Sequence, residues 1–289
     1  MPISVVIPYY RAADTIEAQL AALAEQRCPE PWEVVIADNE SSDELRRIIP
    51  RHEPSLPSLR VVDASARRGE GHARNVGVRA ARSDLIAFCD ADDVVGAGWL
   101  SAMHQALAVH DFVACRLDFE RLNPSWARRI FADHPQQRRL MQTRYAPYFL
   151  HAGGGTLGFR RHVFETAGGF DETWPVLTDK EFCLRAHLAG NLLHFVPDAV
   201  VHYRCRSTTP RLFKRSITFG FYDARLYRRY REPKVGDPRL WTRYFQKWLH
   251  LMHDVPELTA GATRASWIWK SGWQIGQLVG SIRYLVPAM

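Results

Sequence analysis

Leu85-Ile86-Ala87-Phe88-Cys89-Asp90-Ala91-Asp92-Asp93 runs from an apolar stretch straight into three acids within four residues. So short an apolar run reads as a strand buried on both faces, and acids placed directly after it stand at the strand's carboxyl edge, where the chain emerges towards solvent. Carboxylates this close repel one another unless a cation or donor groups neutralise them. Two readings stay open at this stretch. One is a divalent metal site, with hard oxygen donors suited to Mg2+ or Mn2+ and open positions for a phosphate-bearing ligand. The other is a solvated acidic turn that caps the next helix.

The flanking sequence repeats the design. Ile3-Ser4-Val5-Val6-Ile7-Pro8 is a β-branched run closed by proline. Asp14-Thr15-Ile16-Glu17 then has the spacing of a capping box ahead of Ile16, Leu20 and Leu23 at helical intervals. Trp32 to Asp38 and Leu59 to Asp63 are further strands ending in an acid, and Ser42-Asp43 can cap a short helix through Leu45 and Ile48. The loop Arg68-Gly69-Glu70-Gly71 leads into Ala73 to Ala81, whose small residues let a helix lie close on a sheet. After the acids, Trp99, Leu100, Met103 and Leu107 mark another amphipathic helix. Alternating strands and helices imply right-handed crossovers and a mostly parallel α/β sheet covered on both faces. Ligands of such sheets bind outside the carboxyl ends of the strands, so Asp38, Asp63 and Asp90 are expected to line one cleft although far apart in sequence.

The chain of 289 residues, 46% hydrophobic, is long enough to bury a full core. Its formal charge of +7 favours acidic partners such as nucleotides or phospholipid surfaces. Five cysteines without a CxxC pair read as reduced thiols in a cytoplasmic protein, with no zinc site. The amino terminus lacks the pattern of a secretory signal, and no stretch is apolar enough to span a bilayer. Leu117 to Leu150 reads as a variable loop with short helices. In His151-Ala152-Gly153-Gly154-Gly155-Thr156-Leu157 the glycine triplet suggests either backbone brought close to a ligand or other backbone, or a plain flexible turn. Thr178 to Arg185 opens a helix with Phe182, Leu184 and Leu188 inward; Asp179 in its first turn is a cap or a functional carboxylate.

These residues together resemble the family 2 glycosyltransferases with a GT-A fold. The likeness rests on Ser4 to Tyr10 (SVVIPYY), Val34 to Asp43 (VVIADNESSD), Gly71 to Asp93 (GHARNVGVRAARSDLIAFCDADD) and Gly168 to Arg185 (GGFDETWPVLTDKEFCLR), in the family's order over the first two thirds of the chain. The resemblance implies that Pro8 and Tyr10 border the nucleotide base, that Asp38 accepts a hydrogen bond from it, and that Asp63 and Arg74 lie near the base or diphosphate. Asp90-Ala91-Asp92 matches the DxD element. Asp92 would then bind a Mn2+ or Mg2+ ion bridging the donor diphosphate, with Asp90 near the ribose and the metal and Asp93 in support. Asp179 stands in the place of the catalytic base. His202 is either a last ligand to the metal or diphosphate, or a plain strand-end histidine.

Two positions depart from the family pattern: Thr178-Asp179 stands where Glu-Asp is usual, and Asn39-Glu40-Ser41 where Asp-Gly-Ser is. A QxxRW-like signature is absent, which implies one sugar added per encounter. The resemblance therefore implies an inverting, metal-dependent, hexosyltransferase-type enzyme of cell-surface polysaccharide assembly. It would use a nucleoside-diphosphate sugar, UDP-sugar favoured, and a glycan or lipid-linked acceptor. A catalytically weak nucleotide-sugar binding module and a sugar-nucleotide nucleotidyltransferase are the alternatives; the latter should carry a Gly-rich triphosphate loop where this chain has Tyr9-Tyr10-Arg11-Ala12-Ala13.

The expected organisation is a catalytic domain over 1–205, with a nucleotide-sugar half (1–115) and an acceptor half (116–205), followed by a basic, aromatic helical extension over 206–289. The extension carries Arg206, Arg211, Lys214, Arg215, Arg225, Arg228, Arg229, Arg231, Lys234, Arg239, Arg243 and Lys247. No nucleic-acid motif accompanies these residues, so no nucleic-acid partner is expected. An anionic membrane surface on the cytoplasmic side is one reading, and aromatics packed inward with arginines outward is the other. Gly272, Gly276 and Gly280, four apart among tryptophans, suit an interfacial helix or an ordinary helix contact.

Overall fold

The β-branched runs form the centre of an eight-stranded sheet, in a computed structural model that describes all residues except 40–42, 144, 146, 206–208, 232–238, 254–260 and 288–289. The strands are β1 (Ile3–Tyr9), β2 (Trp32–Asp38), β3 (Leu59–Asp63), β4 (Leu85–Phe88), β5 (Val94–Val95) and β6 (Phe112–Asp118), with β9 (Leu157–Arg160) and β10 (Leu193–His202) later in the chain. Between them β7 (Met141–Gln142) and β8 (Leu150–His151) make a separate ribbon. The order is β3-β2-β1-β4-β9-β6-β10-β5. β1, β2, β3 and β4 pair in parallel, as do β6 and β10, while β9 runs antiparallel between β4 and β6. Val5, Val6, Ile7, Val34, Val35, Ile36, Ile86 and Phe88 are wholly buried, as strands covered on both faces must be.

The helices over these strands are α1 (Ala13–Ala24), α2 (Asp43–His52), α3 (Glu70–Ala80) and α4 (Trp99–Val109), then α5 (Ser125–Ile130), α6 (Arg161–Ala167) and α7 (Thr178–Leu188). Gly77 lets α3 settle on the sheet, since a Cβ there would overlap Val6. α1 begins at Ala13 after an Ala12 that makes no side-chain cap, so Asp14 lies inside the first turn rather than at the expected cap. The expected cap at Ser42 lies outside the described residues, as do Glu40 and Ser41. Leu188 is 58% exposed at the end of α7, where the helix has already left the core that holds Phe182 and Leu184. At the amino edge, buried Glu33 accepts from Ser4 Oγ (2.8 Å), the Arg82 backbone (2.7 Å) and Arg60 Nη2 (2.8 Å).

The chain divides into two compact units: Met1–Arg121, Pro135–Met141 and Leu150–Arg204 in one, and Leu122–His134, Gln142–Phe149 and Cys205–Met289 in the other. The second unit contains α5, α8 (Thr209–Tyr230), α9 (Arg239–His253) and α10 (Gly261–Tyr284). Within it α8 and α10 pack backbone to backbone. A Cβ on Gly220 would overlap Trp273, and one on Gly276 would overlap Ile217. The glycines four apart thus make an intramolecular helix contact. Between the two helices, buried Asp223 accepts from Tyr145 Oη (3.0 Å) and Gln277 Nε2 (3.3 Å). Among the described residues no helix is long and apolar enough to cross a membrane.

Candidate functional site

Parallel register brings the strand-end residues into line. Tyr9 pairs with Asp38 and Asp38 with Asp63, so the three stand side by side at the carboxyl edge. A cleft of about 550 Å³ opens there, lined by Asp38, Leu45, Arg46, Ile49, Pro50, Val61, Asp63 and Ser65. Asp90 belongs to the same edge but is not in that lining, because β1 separates β4 from β2. Asp63 is exposed, and hydrogen bonds from the Ser65 side chain and then the Ser65 backbone (2.8 Å) lower its pKa. Pro8 and Tyr10 are half-buried, and the Tyr10 ring lies under the Arg68 guanidinium at 4.8 Å and near that of Arg11 at 5.2 Å. Asn39 is buried and locks the next loop: its amide donates to the Ala64 and Arg67 carbonyls and accepts from the Gly69 backbone.

The acidic turn is fixed by Gln19 and by Arg204. Gln19, wholly buried on α1, donates to the Asp90 carbonyl (3.2 Å) and accepts from Val95 N (2.9 Å). Asp93 is 2% exposed and accepts from Arg204 N (2.8 Å), while Arg204 Nε donates to the Asp92 carbonyl (2.9 Å). Ala91 is buried within the turn. Carboxylate oxygens of Asp90, Asp92 and Asp93 lie within 4.8 Å of one another, close enough to share one cation. Burial, with Glu70 and Asp92 nearby and against the pull of Arg74, raises the pKa of Asp90 to about 7.

Arg74 is the hub. Its side chain is 1% exposed, with Nη2 at 2.5 Å from Glu70 Oε1 and 3.3 Å from Asp90 Oδ1, and Nη1 at 3.4 Å from Thr178 Oγ1. Phe88 and Phe170 lie against the guanidinium at 5.7 and 5.5 Å. It is covered by Gly154, where any Cβ would overlap it, and a Cβ on Gly155 would come within 2.5 Å of the Asp90 carboxyl carbon. The glycine triplet therefore makes room for charged side chains. Gln136, wholly buried, holds that loop by donating to Thr156 Oγ1 (2.7 Å) and accepting from Gly153 N (3.0 Å).

Asp179 satisfies a first-turn amide of α7 and reaches beyond the helix as well. It accepts from Gly154 N (3.0 Å) and from the adjacent Lys180 N (2.8 Å), and the N-terminal position at Leu177 makes no side-chain cap. Burial raises its pKa against Arg74, and Glu70 adds to the rise. Arg74 thus stands between the acidic turn and the start of α7 rather than opening to the cleft. His202 ends β10, pairs with Val94 just beyond the acids, and shares a 2.6 Å hydrogen bond with Asp118 through Nδ1. That contact leaves Nε2 as the atom available to a ligand. Glu70, Gln19, Gln136, Asp118 and Arg204 carry no sequence signal of their own, whereas the motif does mark Asn39 and the glycine triplet does point at Gly154 and Gly155.

Known proteins are similar to this arrangement in sequence and fold. The family model described as Glycosyl transferase family 2 matches residues 4–168. The glycosyltransferase AglE of Haloferax volcanii is 30% identical over 225 residues, covering 75% of this chain and 71% of AglE. The chain spans only 16% to 35% of three further curated relatives that it matches over shorter stretches. Among solved structures, the mannosyltransferase PcManGT of Pyrobaculum calidifontis, in complex with GDP-Man and Mn2+, shares the fold at a TM-score of 0.65 and 20% identity, over 96% of this chain and 86% of that one. Staphylococcus aureus TarS 1-349 in complex with UDP does so at 0.55 and 18%, over 98% and 91%.

Proposed function

The chain belongs to glycosyl transferase family 2, and on that premise we propose that it moves one sugar per encounter from a nucleoside-diphosphate donor to an acceptor hydroxyl, with inversion and with a divalent cation. The observation that carries this reading is the convergence, around Arg74, of the acidic turn and Asp179, two carboxylate sites far apart in sequence. The three acids fit a hard cation: Asp90 and Asp92 would hold it, and Asp93, already engaged with Arg204, would support the turn, while His202, bonded to Asp118, lies outside that group and would have to move to join it. Such an ion supplies Lewis-acid stabilisation of the departing diphosphate.

The protein's own groups do the rest. Pro8, Tyr10, Asp38 and Asp63 bind and orient the nucleoside at the strand ends. Asp179 takes the proton of the attacking hydroxyl; its raised pKa makes it a stronger proton acceptor than an ordinary aspartate, and the Gly154 and Lys180 amides hold it in place. A single attack opposite the leaving group inverts the anomeric centre. The reading takes residues 1–115 as the donor half, 116–205 as the acceptor half, UDP-sugars as favoured donors, and a glycan or lipid-linked acceptor of a cell-surface polysaccharide.

It includes attachment to the cytoplasmic face of an anionic membrane. Support comes from α8, α9 and α10, which carry Asp223 as their single acid, and from the exposure of Leu249, Met252 and Ile282 at 65%, 67% and 68%. Sedimentation with phosphatidylglycerol vesicles tests it: binding lost in Leu249→Ser/Met252→Ser supports attachment, and a wild-type protein that stays in the supernatant removes it. The main test is release of nucleoside diphosphate from UDP-, GDP- and dTDP-sugars with Mn2+. Turnover by wild type and none by Asp179→Asn, with nucleotide binding in both, is expected. Nucleotide binding without turnover by wild type would replace the enzyme with a binding module.

A further inference from the structure

Arg74 is a buried cation whose charge balance is lopsided. Phe88, Phe170 and Gly154 close around the guanidinium, so its position is set by packing. Its contacts with Asp90 (3.3 Å) and Thr178 (3.4 Å) are long, and the buried Nε makes no hydrogen bond among the described residues. The short one, at 2.5 Å, goes to Glu70, the first residue of α3, whose carboxylate is half exposed. Thr178 itself sits where a carboxylate would reach the guanidinium: its hydroxyl faces Nη1, and its Cγ2 lies 3.5 Å from the place a Cβ on Gly71 would take. The hydroxyl of Thr178 brings no charge there, and of the three carboxylates that face the guanidinium, those of Glu70, Asp90 and Asp179, the one in short contact comes from α3, one turn before Arg74.

We propose that Glu70 is a positioning residue for the transfer, a carboxylate supplied from α3 in place of one at position 178, which keeps Arg74 from closing on Asp90. Without that charge, Asp90, at 3.3 Å, and Asp179 are the carboxylates that face the guanidinium, and Asp90 draws closer to it. The pair tightens, and the Asp90 oxygens turn away from the cation-binding face. Asp179, held through Gly154 over the same guanidinium, loses its alignment with the turn. Glu70 acts through Arg74 and touches neither sugar nor diphosphate. Its loss therefore lowers turnover more than donor affinity.

The inference rests on the reading of Asp90, Asp92 and Asp179 given above, and a charge transposition separates the two. Wild type, Glu70→Gln, Thr178→Glu, the double variant and Asp179→Asn are compared for nucleoside diphosphate release from a UDP-, GDP- and dTDP-sugar panel with Mn2+, and for thermal midpoint. Glu70→Gln is expected to lower kcat about tenfold with donor KM within about twofold; adding Thr178→Glu returns kcat to within about threefold of wild type. The midpoint of the double variant should exceed the value obtained by adding the two single shifts. Wild-type turnover in Glu70→Gln, or a double variant no better than Glu70→Gln, overturns the proposal. If wild type releases no nucleoside diphosphate, or Asp179→Asn releases as much as wild type, the reading of the site fails instead. The thermal cycle then decides alone, and additive single shifts overturn the Glu70 pairing.

Discussion

Glycine serves opposite ends in the sheet unit and in the helical unit. Gly154 and Gly155 lie on charged side chains, Arg74 and Asp90, so the missing Cβ lets backbone cover an ionic cluster. Gly220, Gly272, Gly276 and Gly280 lie on the facing helix, so the missing Cβ lets α8 and α10 approach. The first use sets the geometry of a site and the second sets the stability of a helix pair. Crowding them should therefore be read out by different measurements.

The largest expected effect is at the site. Gly155→Ala pushes on a short, hemmed-in carboxylate, and kcat for nucleoside diphosphate release should fall about 100-fold while the thermal midpoint falls less than in Gly276→Ala. Equal loss of stability and activity would erase the distinction drawn here. Gly276→Ala should do the reverse, costing about 2 kcal/mol in denaturant unfolding, since overpacking a tight contact has that scale, with nucleotide binding by the folded protein unchanged.

Charge sharpens the contrast next. Asp90, raised to about 7 by burial together with Glu70 and Asp92, must lose its proton to hold a cation. Apparent Mn2+ affinity, followed by titration calorimetry, should then weaken about tenfold per pH unit below about pH 7. A flat profile would show that Asp90 is no ligand. Glu33 has the opposite sign: burial raises its pKa, but hydrogen bonds from the Arg82 backbone, Arg60 and Ser4 outweigh that and leave it lowered from 4.5. Its stabilising contribution is full above pH 4.5 and is lost as pH falls through the lowered value. Glu33→Gln should cost about 1–2 kcal/mol at neutral pH and reduce the acid sensitivity of unfolding.

Strands β1 to β4 were legible because buried parallel strands leave a strong trace: short β-branched or aliphatic runs, each after the first followed by an acid. Asp38, Asp63 and the acidic turn were readable for the same reason, since a carboxylate at the end of an apolar run has few structural causes. Gln19 and Gln136 were not, because a buried amide that clamps a loop looks like any surface glutamine until the loop is folded against it. Arg74 could be found but not placed. Its motif marks it as near the donor, whereas its burial under Gly154 makes it a bridge between Asp90 and Thr178. The pairing of Glu70 with a threonine 108 positions away in sequence, through that bridge, depends on a contact no local pattern encodes. The glycine spacing of α10 read as an interfacial helix or an ordinary helix contact, and the close approach of α8 shows that the glycines make a contact.

The central claim is that Asp92 holds a divalent cation against a nucleotide-sugar diphosphate. Nucleoside diphosphate release is measured over a Mn2+ titration for wild type and Asp92→Ala, using the sugar nucleotide that wild type turns over fastest. Wild-type turnover should rise with Mn2+ and saturate, and the variant should stay at least about 100-fold slower at every Mn2+ concentration. An Asp92→Ala enzyme with the same Mn2+ dependence and the same maximal rate as wild type would contradict it.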